Sequence, residues 1–190
     1  MRRRFQLEEN EHFRIIPHRG KGSLPSNPDK RPDPKRRGLL DQLPAKLKGY
    51  SHLSPDYCVV VLVDSDSTDC KTLKNALVDL YGKLDKKPPK VLFRIAVEET
   101  ESWFLADRDA IISAYPNAKL QLISNFSPDS VVGSWEKLAI AIGRKPDDCD
   151  GADKVEWATK ISPHIDLKNP KSPSLNAFLT GIASTINNSA

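Results

Sequence analysis

Apolar residues along this chain fall into two kinds of run, and the difference sorts strands from helices. Val59–Val63 (VVVLV) and Val91–Val97 (VLFRIAV) are short and nearly unbroken, rich in Val, Ile and Phe. Such runs suit strands buried on both faces of a mostly parallel sheet. Elsewhere the apolar positions recur three and four apart. Leu73, Leu77, Leu80, Tyr81 and Leu84 share one face of a helix predicted over about 68–84. At the far end Ser172 caps, and Pro173 starts, a helix that turns Leu175, Phe178, Leu179, Ile182 and Ile186 inward. Strand, helix, strand in that order predicts parallel neighbours joined by a right-handed crossover.

The remaining pattern is weaker. Met1–Glu11 is polar and reads as the tail of a helix, and His12–His18 (HFRIIPH) as a short strand. Leu24–Arg37 carries four prolines and the run KRR at 35–37, which makes it an extended basic loop. Leu39, Leu40, Leu43 and Leu47 mark a helix whose better half starts with Pro44 as first helical residue and ends at Gly49. Trp103, Phe104, Ala110, Ile111 and Ala114 continue helically after the second strand, with Trp103 read as core packing. Residues 116–128 are connecting structure, 131–142 and 154–161 are helical, and 145–154 is a polar loop. There is no internal repeat.

Chemistry gathers at the strand ends. Asp64 and Asp66 follow the first apolar run, and side chains two apart on an extended chain point to the same side. They stand at a strand-to-helix junction, where open α/β sheets place ligands. Hard oxygen donors there point to Mg²⁺ or Mn²⁺ over zinc. The alternative is that Asp64, Asp66 and Asp69 simply form a turn and cap a helix. Glu98, Glu99 and Glu101 follow the second run in the same way, and parallel strands bring their C-terminal ends to one edge of a sheet. The two acidic clusters are therefore expected to converge. In Arg19-Gly-Lys-Gly-Ser23, Gly20 and Gly22 bracket Lys21, a loop able to offer backbone N–H groups and an ammonium to phosphate, or else a plain basic turn. It matches neither a Walker A loop nor GxGxxG. His164 and Asp166 are either further members of the site or plain turn residues, and the SPHID pattern favours the turn.

Composition narrows the class. At 190 residues the chain is expected to form a single domain spanning 1–190. Three scattered cysteines, Cys58, Cys70 and Cys149, make no CxxC pair, which argues against a disulfide framework or structural zinc and fits the cytoplasm. No apolar run approaches the roughly 18 residues of a membrane span, and no apolar signal core follows the basic start MRRRF. The net charge of +4 conceals an asymmetry: residues 1–50 hold 13 Lys and Arg against 6 Asp and Glu, the rest 16 against 19. A basic N-terminal third beside a carboxylate-bearing core suits a polyanion held near a metal, while a solvated Pro-rich loop accounts for the same charge.

RGKGSL, PDPKRRGLLDQLPAKL, VLVDSDSTDCKTLK, FRIAVEETESWFLAD and ISPHIDLKNPKSPSLNAFL, in that order, resemble the bacterial family called domain of unknown function 4276, over about Phe13 to Ile182. That family in turn resembles TOPRIM domains, the metal-binding folds of topoisomerases, primases and OLD-type nucleases. The resemblance implies an α/β, TOPRIM-like, mostly parallel sheet flanked by helices with a C-terminal helical extension. It carries Asp64 and Asp66 onto the Mg²⁺-binding Asp-x-Asp pair, and matches Glu99 and Glu101 to an acidic block after the next strand. The family's opening strand and its glutamate have no counterpart here: no apolar strand precedes Glu8, Glu9 or Glu11, so a strand is expected upstream of Met1 or absent from a truncated copy.

The function expected on these grounds is Mg²⁺- or Mn²⁺-dependent phosphoryl transfer by a nuclease domain acting with a partner ATPase, in a phage-defence setting. Asp64, Asp66 and Glu99 would hold the metal, Glu101 would join them in catalysis, and Arg19 and Lys21 would contact nucleic-acid phosphates. The alternative is a non-catalytic module that binds nucleic acid or an ATPase through a degenerate acidic site.

Overall fold

A computed structural model describes residues 1–124, 126–130 and 133–187. In chain order the elements are α1 (Arg2–Phe5), α2 (Leu39–Gly49), β1 (Val59–Asp64), α3 (Cys70–Lys83), β2 (Val91–Ala96), α4 (Glu101–Ala106), α5 (Arg108–Ala114), α6 (Ser134–Ala141), α7 (Gly151–Ile161) and α8 (Pro173–Asn187). The fold is α/β. β1 and β2 form a two-stranded sheet. Val59 N–H donates to Lys90 O (3.1 Å) and Ser65 N–H to Ala96 O (2.9 Å), so partner numbers rise together and the strands are parallel, as the strand–helix–strand order predicts. The chain divides into two compact units. The first comprises Met1–Val63, Asp69–Ile95 and the chain from Gly181; the second comprises Asp64–Thr68 and Ala96–Thr180.

In the first unit Leu40, Leu43 and Leu47 of α2, Val61 and Val63 of β1, and Leu73, Leu77 and Leu80 of α3 form one core with Leu84 and Phe93. Both helices thus cover the odd-numbered face of the sheet. The other face is thinner: Val60 is 38% exposed and Leu62 half-buried, so β1 is not buried on both faces as its apolar run suggests. Arg94, at an even position of β2, is the residue whose polarity marks that face in the sequence. Asp69 caps α3 by accepting the Thr72 N–H (2.8 Å), as the turn-and-cap alternative has it.

Three further expectations fail in this unit. HFRIIPH forms no strand; only an isolated bridge joins Glu9 and Phe13, and Ile15 and Ile16 are 61% and 46% exposed. Adjacent isoleucines cannot both face one core in an extended chain, and Pro17 lacks a ladder donor. Helix character before residue 12 is limited to the single turn α1. Pro44 does not start its helix: α2 begins at Leu39 and runs through a buried Pro44. Its first turn survives because the preceding loop satisfies it, Leu39 N–H donating to Gly20 O (3.0 Å) and Leu40 N–H to Lys21 O (2.8 Å).

The second unit is helical around Phe104, Leu105, Ile111, Leu138, Trp157, Ile161 and Leu175, all buried. Asp107 divides what the sequence suggests is one helix. It caps α5 through the Ala110 N–H (3.2 Å) and accepts the Asp166 N–H (2.9 Å). α7 begins at Gly151, inside the predicted polar loop, because Asp150 and Asp153 form a reciprocal capping box. α6 occupies Ser134–Ala141; the part of its predicted span at 131–132 lies outside the described residues. Ser172 caps α8 through the Leu175 N–H (3.1 Å). Among the described residues no helix is long and apolar enough to cross a membrane.

Charge separates between the units. The first holds 20 Lys and Arg against 10 Asp and Glu, a balance of +10; the second holds 9 against 15, a balance of −6.

Candidate active site at the strand ends

The acidic residues after β1 and β2 are joined by backbone geometry within the second unit. Ser65 N–H donates to Ala96 O, Asp66 N–H to Glu98 O (2.9 Å), and Glu98 N–H to the Ser65 hydroxyl (2.7 Å). The ladder therefore continues past both strands into the acidic turns, side by side. Asp66 (φ 47°) and Glu98 (φ 63°) are both left-handed, a conformation costing a non-glycine residue roughly 1–2 kcal/mol. Each strand thus ends on a turning carboxylate residue. Asp64 is half-buried, Ser65 buried and Asp66 exposed.

The three glutamates do different work. Glu98 is buried, and its carboxylate accepts the Gly133 N–H (2.5 Å), the Ser134 N–H (3.1 Å) and, in a short bond, the Ser134 hydroxyl. It is spent on holding the N-terminus of α6, where backbone dipoles favour a negative charge. Glu101 is buried beside the Thr100 hydroxyl (3.3 Å). Glu99 is half-buried, and its Oε2 is shielded from solvent with no hydrogen-bond partner. Burial pushes the Glu99 carboxyl up to about 7; the Lys154 ammonium opposes this, while Glu101 and Glu98 add to it. Lys154, from the first turn of α7, lies 3.5 Å from Glu99 Oε1 and 3.7 Å from Glu101 Oε1, over the Trp135 ring at 4.8 Å from its centroid.

Behind the acidic turn, Asp129 (φ 61°) accepts the Ser174 N–H (2.5 Å) and the Ser172 and Ser174 hydroxyls (2.9 and 3.0 Å). The Ser174 oxygen accepts the Trp103 indole N–H (2.7 Å), and Trp103 stacks on Phe178 at 5.8 Å. Trp103 is packing, as read, with a polar tie to α8. Sequence reasoning missed Lys154, Trp135, Ser134 and Asp129, each of which lies far along the chain from the partners it meets. Only the SPS triplet at 172–174 carried a local signal.

Arg19 and Lys21 belong to the first unit. Arg19 is exposed and Lys21 half-buried, and the loop between them gives its carbonyls to the N-terminus of α2. Gly22 has φ 69°, and a Cβ there would lie 3.0 Å from the Gly38 backbone and collide with the Asp41 carboxylate. Asp166 folds onto its own turn, accepting the Lys168 and Asn169 N–H groups (2.9 and 3.1 Å), and His164 is exposed in a one-turn helix, both as the turn reading expects.

Among the described residues no group of three or more His, Cys, Asp or Glu side chains is gathered so as to hold a metal ion alone. Mg²⁺ asks less, being commonly bound by one or two carboxylates with several retained waters. Glu99 and Glu101, on either side of Lys154, supply such a pair of hard oxygen donors, and the unpartnered Glu99 Oε2 fits that role. No curated protein and no solved structure matches the chain. The profile of the family described as domain of unknown function (DUF4276) matches residues 6–183.

Proposed function

We propose, from the premise that the chain belongs to the DUF4276 family, that it is a divalent-cation-dependent phosphoryl-transfer domain: a TOPRIM-like nuclease acting with a partner ATPase, in phage defence. The observation that carries this reading is the pairing of the two acidic strand ends through Ser65, Asp66 and Glu98, with Glu99 Oε2 left without a protein partner beside them. Glu99 and Glu101 would supply the hard oxygen donors for Mg²⁺ or Mn²⁺, with Asp64 and Asp66 on the paired strand end completing the acidic wall. When bound, the cation supplies a water of lowered pKa and charge to stabilise the attacking and leaving oxygens of an in-line displacement. Arg19 and Lys21, in the basic unit, hold phosphates without reading sequence.

The test is metal-dependent cleavage of DNA and RNA by purified protein. Asp64→Asn/Asp66→Asn abolishes turnover, a loss of about a hundredfold or more, and leaves the melting temperature within a few degrees of wild type. Unchanged cleavage by that variant sinks the assignment.

A second reading, a non-catalytic module binding nucleic acid or an ATPase, is favoured by one observation: Lys154 already neutralises Glu99 and Glu101. Melting scans separate the two. A cation that binds only the folded state raises the melting temperature, so millimolar Mg²⁺ or Mn²⁺ shifts it upward on the first reading and leaves it unmoved on the second.

A further inference from the structure

A cavity of about 350 Å³ opens within the first unit, a size that suits a small molecule. Its walls come from the residue before β1, the end of α3, the start of β2 and the last turns of α8. The charge of these walls is one-sided. Lys90 and Arg94 line the cavity, and among the described residues no Asp or Glu does. Both cations occupy even positions, so their side chains leave one face of β2. A Cβ on Gly181 would lie 2.6 Å from the Arg94 Cζ, so it takes a glycine to let the guanidinium come this close to α8. Arg94 Nη1 is further held by donating to Phe93 O (2.9 Å). One turn along α8, about 6 Å of rise, Thr185 donates to Gly181 O (2.9 Å) and is hydrogen-bonded to Cys58. Burial pushes the Cys58 thiol up, while Thr185 and the Lys90 ammonium oppose the rise, so the Lys90 charge is felt at this wall. The exposed Ser184 adds a hydroxyl from the same stretch of helix.

We infer that this cavity binds a small phosphate ester, of the size of a nucleotide, through Lys90, Arg94 and Ser184. The site shares no residue with the acidic strand ends and does not depend on the metal-dependent reading. A phosphate accepts from a guanidinium fork, an ammonium and a hydroxyl at once, and bonds to these charged donors are the strong ones. Two positive charges with no acid in the walls disfavour a cation and leave a neutral ligand without a counterpart. The guanidinium, already seated on Gly181 and tied to Phe93 O, loses less freedom on binding than a loose side chain would. The organic part of the ester meets the apolar remainder of the cavity. There Tyr81 is fixed by its hydroxyl donating to Pro88 O (2.7 Å) and by an edge contact with Phe93.

The experiment titrates ADP, and separately inorganic phosphate, into the full chain by calorimetry with EDTA present. Wild type is compared with Lys90→Gln, Arg94→Gln and Ser184→Glu. Each substitution removes a charged donor or sets a repelling charge in the wall, and weakens ADP by about tenfold or more. Ser184 is exposed, so Ser184→Glu carries the comparison should Arg94→Gln, which disturbs the packing on Gly181, fail to fold. The three free cysteines locate the ligand without mutation. Bound ADP slows alkylation of Cys58 by N-ethylmaleimide and leaves Cys70 and Cys149 unchanged, as read by mass spectrometry of the modified chain. No ADP binding overturns the site. ADP binding that every folded pocket variant retains, or that leaves Cys58 as reactive as before, overturns it too and places the phosphate elsewhere on the chain. Inorganic phosphate binding as tightly as ADP overturns the ester and reduces the cavity to a free-phosphate site.

Discussion

Glu98, Glu99 and Glu101 stand within four positions of one another, and burial gives each a different chemistry. Glu98 is satisfied by a helix N-terminus, Glu101 shares a lysine, and Glu99 keeps one oxygen unpartnered. The consequence for Glu99 is a pH dependence of defined sign. Its folded pKa of about 7 lies above the ordinary 4.5, so between those values the folded chain holds a proton that the unfolded chain has released. Its stabilising contribution is full below the lower value and is lost as pH rises through the upper. Glu99→Gln keeps the neutral form at every pH. The gap in melting temperature between wild type and Glu99→Gln therefore shifts against wild type from pH 5 to pH 8 and levels off above, and parallel profiles would show that Glu99 does not titrate there. Identity alone shows that these residues are acidic; which oxygen lacks a partner depends on Ser134, Trp135 and Lys154, whose proximity no local pattern announces.

At the level of elements, apolar spacing was legible, while short polar caps such as Asp107 and the Asp150/Asp153 box, and contacts with distant partners, were not. β1, β2, α3 and α8 follow from apolar spacing, and the acidic strand ends come side by side because parallel pairing leaves no other arrangement. Asp107 and Pro44 misled because their roles rest on the Asp166 N–H and on the carbonyls of Gly20 and Lys21. The loop over α2 gives a direct check. Gly20 and Gly22 are both left-handed, at φ 76° and 69°, but only Gly22 would meet other atoms with a Cβ. Gly20→Ala costs roughly 1–2 kcal/mol from backbone conformation alone. Gly22→Ala costs more, seen as a further fall in urea midpoint at unchanged slope. Equal losses would mean that the loop does not pack on the helix.

On the scale of the whole molecule the charge balance of +10 and −6 is what the sequence hinted at in its basic N-terminal third; the fold sharpens it by adding the seven lysines and arginines of Asp69–Ile95 to the same unit. A polyanion drawn to that unit binds with an affinity that falls linearly in log–log form with salt, at roughly 0.9 per phosphate contacted on duplex DNA. Arg19→Ala/Lys21→Ala therefore lowers the slope by about 2 if each residue holds one phosphate. An unchanged slope assigns the contact to other cations of the unit.

The chain passes between its two units at 63–64, 68–69, 95–96 and 180–181. A protease that cut on either side of 96–180 would release a stretch still carrying Glu99, Glu101 and Lys154, but stripped of Asp64 and Asp66, which arrive as a five-residue loan from the other side of the sequence. The acidic wall is thus inherited from two places at once, and dissection by fragments returns only half of it.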